Sequence, residues 1–231
     1  MIQRSRLIVC MFALVFVGRR VTAQVPPAED FQEWTQIAAN WQVKPKLIIT
    51  TFGEVHIGNH ISEFDQEVVS AGITYSPKKW VSVGTWYLYL HANPKLSGIN
   101  YENRIYGDVT FIAPAFHKFL LSDRVQPELR WVKTPIEETF TQRYRNRVSL
   151  ARPIKKYSPF VMWEKFYSAN VKAWSRTKYY AGLTMPISER ASTQFYFMRH
   201  NDQFSRPFHK SAVGASVMFD FPRARRSDPH Q

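Results

Sequence analysis

From Phe31 to Phe221 the chain alternates in character every second residue, and this period of two constrains the fold more than any other feature. Arg143, Arg145, Arg147 and Ser149 alternate with Tyr144, Asn146, Val148 and Leu150, so an extended strand has one basic face and one largely apolar face. Arg124, Gln126, Glu128 and Arg130 alternate in the same way with Val125, Pro127, Leu129 and Trp131. Near the end, Val213, Ala215, Val217, Phe219 and Phe221 alternate with Gly214, Ser216, Met218 and Asp220. On a helix each of these sets would scatter round the axis, whereas a strand sorts them onto opposite sides.

The periodicity predicts eleven strands, over 31–43, 47–57, 67–75, 80–91, 103–113, 119–132, 140–152, 158–167, 174–185, 191–199 and 210–221. Many have the length of about ten residues that a tilted strand needs to cross a bilayer. The links alternate between short ones (44–46, 76–79, 114–118, 153–157 and 186–190) and longer ones (58–66, 92–102, 133–139, 168–173 and 200–209). Short turns on one side and longer loops on the other suit an outer-membrane barrel. The expected fold is therefore all-β, an antiparallel up-and-down transmembrane barrel of ten to twelve strands. Eleven conflicts with the even count usual in bacterial barrels, so the segment 31–43 either hides a bend with two crossings or lies outside the wall.

The ends fit export. Arg4 and Arg6 precede an unbroken apolar run from Leu7 to Val17, followed by the small-residue site Val21-Thr22-Ala23, the order of a secretory signal peptide. Eleven apolar residues would rise only about 16 Å as a helix, too little to span a hydrocarbon core of about 30 Å. The expected organisation is a signal peptide over 1–23, a barrel over 24–221 and a polar tail over 222–231. Cys10 lies in the leader, so the exported chain has no thiol for a disulfide or a thiolate metal site. The formal charge of +13 falls to +9 once Arg4, Arg6, Arg19 and Arg20 leave with the leader. Seven Trp, eleven Tyr and seventeen Phe need a large apolar environment, which a lipid-facing wall with interfacial girdles supplies. Localisation in the outer membrane follows, among lipid and lipopolysaccharide, with the barrel-assembly machinery as partner and small anions as candidate ligands; nucleic acid is not expected. The rival is a soluble periplasmic β-sandwich or lipocalin-like binding barrel, which would bury its apolar face.

Taken as inward, the polar parity gives Glu54 and His56, Arg104 and Asp108, and Arg124, Gln126, Glu128 and Arg130. Arg143, Arg145, Arg147, Glu164, Arg176, Lys178, Tyr180 and Asp220 complete the face. Such a mixture either satisfies itself as a belt of ion pairs in the lumen or forms a basic site for an anion. Alternate arginines stand about 6.5 to 7 Å apart, so acids or bound anions should lie opposite them. Glu128 on the preceding strand and Glu164 on the following one have the parity to flank Arg143, Arg145 and Arg147. The belt is expected to comprise Glu54, His56, Arg124, Glu128, Arg130, Arg143, Arg145, Arg147, Glu164, Arg176 and Lys178. No catalytic set, metal site or cofactor motif is legible: Glu54 and His56 could form an acid–imidazole pair, but spacing places no serine beside them. A lipid-modifying enzyme therefore stands as the alternative to a narrow pore or an envelope structural protein.

The chain resembles the family of bacterial proteins known as domain of unknown function 2490 (DUF2490). The resemblance rests on DFQEWTQIAANWQV, ITTFGEVHIGN, LLSDRVQPELRW, TQRYRNRVSLARP and the closing strand, and it spans nearly all of the chain after the leader. It implies an outer-membrane-type β-barrel and carries over no catalytic residues.

Overall fold

The computed structural model describes residues 28–222, so the proposed leader and all but Pro222 of the proposed tail lie outside the described residues. Eleven strands follow one another: β1 Glu29–Lys44, β2 Leu47–Gly58, β3 Glu63–Lys78, β4 Val81–Ala92, β5 Tyr101–Ile112, β6 Leu120–Lys133, β7 Glu138–Ala151, β8 Ser158–Ser168, β9 Ala173–Ser188, β10 Ala191–Asp202 and β11 His209–Phe221. One short helix, α1 Pro94–Ser97, interrupts the β4–β5 link. Each strand pairs antiparallel with its neighbours in sequence, and β1 pairs with β11 to close a barrel.

The closing pair resolves the parity conflict. β1 and β11 run parallel, in register from Glu29 opposite His209 to Trp41 opposite Phe221. β1 is one unbroken strand of the wall, contrary to both alternatives drawn from the even-count rule, and the barrel is not antiparallel throughout. An odd number of up-and-down strands leaves first and last pointing the same way, so closure between them has to be parallel. The first strand therefore begins at one end of the barrel and the last strand finishes at the other.

The contrast in link length is weaker than expected. The links at the end where β1 and β11 finish are 45–46, 79–80, 113–119, 152–157 and 189–190; those at the opposite end are 59–62, 93–100, 134–137, 169–172 and 203–208. The second set is shorter than the sequence suggested because residues such as Glu63, Glu102, Glu138 and Asp202 remain in the strands. The loop-end parts of the strands carry exposed polar pairs on their outer faces: Glu67 with His91 at 3.3 Å, and Arg199 with Glu29 at 3.3 Å. Ladder hydrogen bonds thus continue beyond the apolar part of each strand. The first set bounds what is called below the turn end, the second the loop end.

The outer face between these polar pairs and the turns is largely apolar. Ile37, Val55, Val69, Ile73, Ile105, Val125, Leu129, Val161 and Val213 all point out and are exposed. Two bands of aromatic residues border them. Toward the loop end, Trp131 packs on Phe140 at 5.3 Å, and Tyr144, Tyr167 and Trp174 form a chain of ring contacts. Toward the turn end, Trp41 stacks on Phe221 at 5.8 Å, with Tyr75, Trp80 and Phe111 exposed nearby in the fold.

Inside, two apolar clusters and a polar belt share the lumen. Val68, Leu88, Leu90, Ala92 and Tyr106 form one cluster on β3–β5; Trp34, Phe160, Tyr180, Met198 and Ala212 form the other around β8–β11 and β1. On the lumen face, large rings lie over glycines. A Cβ on Gly72 would come within 2.2 Å of the Trp86 ring, and one on Gly214 within 2.1 Å of Tyr196. Trp86 also stacks parallel to Tyr106 and donates to Asp108 at 2.6 Å. Pro127 in the middle of β6 has no N–H to give, and the β5–β6 ladder skips Gly107 and Asp108 opposite it.

Candidate functional site

The arginine-rich face of β7 points into the lumen. Its register sets Arg143 opposite Glu128 on β6 and Arg147 opposite Glu164 on β8. Arg143 donates to Glu128 at 2.6 Å, and Arg147 donates to Glu164 at 3.0 Å. Arg145 bridges the two acids, donating to Glu128 at 2.9 Å and to Glu164 at 2.8 Å. Cross-strand neighbours on one face come close enough for this because their Cβ atoms stand about 4.5–5.5 Å apart. Both glutamates are completely enclosed, lying beneath the guanidinium groups that contact them.

The network extends sideways. Arg104 on β5 donates to Glu102 at 2.7 Å and lies 3.6 Å from Glu128. Arg130 grips Glu102 with two parallel bonds of 2.7 and 2.6 Å, the planar fork geometry that suits a carboxylate. Gln126 donates to Glu128 at 2.7 Å. Arg124 stands 3.6 Å from Glu164, and its Nε is buried without a hydrogen-bond partner among the described residues.

Other residues expected in the belt lie apart from it. Arg176 holds Asp202 through bonds of 2.9 and 2.6 Å, and Asp202 also accepts the backbone N–H groups of Phe204 and Ser205, tying the β10–β11 link to the wall. Glu54 and His56 pair on β2 at 2.5 Å, and the imidazole stacks flat on Trp34 with centroids 3.9 Å apart. A hydrolytic site would need a serine hydroxyl on that ring; among the described residues its contacts are the carboxylate on its edge and the indole on its face. Lys178 is paired in register with Glu164, but its ammonium lies over the Trp34 ring at 4.6 Å, and among the described residues no carboxylate is within ion-pair distance of it. Asp220 has inward parity but sits exposed at the turn end, accepting from Asn40 at 2.9 Å.

Three functional residues escaped the sequence reading. Glu102 and Asp202 fall in the expected links because polar residues flank them, yet each occupies a strand end and is buried. Phe166 breaks the polar parity of β8, and its ring carries Arg143, Arg145, Arg176 and Lys178 within 4.8–5.7 Å. The electron-rich ring face takes part of the role that another carboxylate would have.

The electrostatics are unequal. Six arginines (Arg104, Arg124, Arg130, Arg143, Arg145 and Arg147) converge on three glutamates, Glu102, Glu128 and Glu164, and Lys178 stands in register with Glu164 without pairing to it. Glu128 takes Arg104, Arg143 and Arg145, and Glu164 takes Arg124, Arg145 and Arg147, so two acids share five arginines. Above this surface lies a cavity of about 700 Å³, bordered at the loop end by Ser97, Ile99, Asn170 and Phe204. Positive charge in excess of its counter-charges, facing a cavity within a low-dielectric wall, attracts anions. Among the described residues no group of three or more His, Cys, Asp or Glu side chains could hold a metal ion.

Comparison with known families matches residues 31–209 to the model of the protein of unknown function family DUF2490. A search of curated proteins finds no match.

Proposed function

Since the chain belongs to the DUF2490 family, whose description assigns no reaction, its role must be read from its own surfaces, and we propose an envelope barrel, embedded in the outer membrane, whose lumen binds anions at the arginine belt. The observation that carries this is the division of the wall by strand parity. Val125, Leu129 and Trp131 face out while Gln126, Glu128 and Arg130 face in, and the same separation recurs on β7, where Tyr144 is exposed and Arg145 points to the lumen. In water, the exposed aliphatic residues and the two aromatic bands would be a large unfavourable surface; against lipid they are the expected one. A lipocalin-like carrier has the opposite arrangement.

The lumen argues against a wide pore. Trp86, Tyr106 and Phe160 project into it, and Trp86 and Tyr106 stand in one cross-strand row with Glu128 and Arg143 of the ion-pair belt. The barrel thus has a narrow, ring-lined lumen whose cavity reaches the loop end, with lipid and lipopolysaccharide as its surroundings and the assembly machinery as the route by which it is inserted. Any conduction through it is narrow and favours anions.

Fractionation and reconstitution test this reading. The protein is expected in the outer-membrane fraction and soluble only with detergent. In planar bilayers it should give little or no steady conductance, with reversal potentials under a salt gradient biased to anions. Recovery in the aqueous periplasmic fraction, or a large cation-selective conductance, would refute it.

A further inference from the structure

The inner face of β3 and β4 departs from the rule that a lumen is polar. Val68, Leu88 and Leu90 point inward and are buried, while Val69, Tyr87 and Tyr89 on the same strands point outward and are exposed, so the wall is apolar on both sides around these residues, with Ser70 next along the inner face of β3. Neither lipid contact nor the ion-pair belt requires aliphatic residues there. In the ring order β3 stands five strands from β8 by one route and six by the other, so the aliphatic patch faces the Glu164 end of the belt across the lumen. The cavity of about 700 Å³ touches both walls, Val68, Leu88 and Leu90 on one and Arg145, Arg147 and Lys178 on the other. That volume is typical of small-molecule sites, which are largely apolar with a few convergent polar groups.

Resting on the anion-binding reading above, we propose that this cavity holds a single-chain amphiphile with an anionic head. The carboxylate or phosphate head lies against Arg124, Arg147 and Lys178, where cations exceed acids, and the chain lies along Val68, Leu88 and Leu90. Two observations converge on this assignment. The buried Nε of Arg124 has a donor to spare, and Lys178 has an aromatic ring where it would otherwise have a carboxylate. A small hydrophilic anion would satisfy the cations and leave the aliphatic wall facing water; a neutral lipid would do the reverse.

The test is carbon-13 NMR of the full barrel in nanodiscs of zwitterionic lipid, with hexadecanoate labelled at the carboxyl carbon as probe. A bound carboxylate resonance, distinct from that of fatty acid in empty nanodiscs, is expected to saturate at one ligand per barrel. Labelled acetate should bind at least about tenfold more weakly, as should labelled hexadecanol. Leu90→Gln and Arg147→Gln should each weaken hexadecanoate by at least about tenfold, with gel mobility before and after heating showing that each variant is folded. The wild-type comparison among the three probes stands even if a variant does not fold. Acetate binding as tightly as hexadecanoate would overturn the amphiphile assignment while leaving an anion-binding barrel. Hexadecanol binding equally well would overturn the role of the cations. No bound signal from a barrel that is inserted in the nanodisc would overturn the inference alone, and failure to insert would overturn the membrane reading with it.

Discussion

Replacing Glu164 by glutamine removes one charge and almost no volume from the point where three arginines meet. Glu164 is fully enclosed and takes Arg145 at 2.8 Å, Arg147 at 3.0 Å and Arg124 at 3.6 Å. At an effective dielectric constant of about 20, those separations correspond to about 6, 5.5 and 4.6 kcal/mol of gross attraction, about 16 in all. Desolvation of the carboxylate and repulsion among the arginines offset most of this in the native protein. Neutralising the acid leaves the repulsion in place, and breaking a buried pair from one side costs about 3–5 kcal/mol. Glu164→Gln should therefore lower unfolding free energy by about that amount, read from urea titration of the reconstituted barrel by tryptophan fluorescence. Arg124→Gln, which removes a cation with no carboxylate closer than 3.6 Å, should change stability by less than about 1 kcal/mol. Equal destabilisation by the two variants, or none from Glu164→Gln, would refute the argument that cations exceed their counter-charges here.

Other consequences follow from the wall. Gly72→Ala and Gly214→Ala would press a methyl group into Trp86 and Tyr196 and should each cost about 1–3 kcal/mol, whereas Gly107→Ala, whose nearest neighbour stands at 3.6 Å, should be tolerated; the temperature of the gel-mobility shift reports both. Leu129→Arg should destabilise the inserted barrel by up to about 2–4 kcal/mol in urea titrations in lipid, because its side chain points away from the lumen. An epitope placed ahead of Glu29 and one placed after Phe221 should be accessible from opposite sides of the membrane, since β1 starts at the loop end and β11 finishes at the turn end; protease protection checks this, and exposure on one side would contradict the parallel closure.

Much of the fold was legible because the period of two acts locally. Arg143, Arg145 and Arg147 had to share a face, and the acids at 128 and 164 had the parity to share it with them. Closure was not legible, since nothing in the residues of β1 distinguishes a parallel partner from an antiparallel one; that choice comes from the strand count. Strand ends were hard to place because Glu102 and Asp202 are polar like the links they adjoin, and their ion pairs with Arg130 and Arg176 on neighbouring strands are not visible in the local sequence. Phe166 was missed for a different reason. Its value lies in four cations contributed by β7 and β9, which no reading of β8 alone contains. The inward aliphatic residues Val68, Leu88 and Leu90 were hidden as well, because their outward neighbours Val69, Tyr87 and Tyr89 are also apolar and leave no alternation to follow there.

The central claim is that one face of each strand meets lipid while the other meets a charged lumen. Spin labelling of β6 in lipid vesicles tests it most directly, since the chain after residue 23 contains no cysteine and single labels can be placed at each position from Arg124 to Trp131. The account predicts a period of two in collision with oxygen, high at Val125, Pro127, Leu129 and Trp131 and low at Arg124, Gln126, Glu128 and Arg130. High accessibility of Val125, Leu129 and Trp131 to a water-soluble relaxing agent, with no rise in oxygen collision, would contradict it.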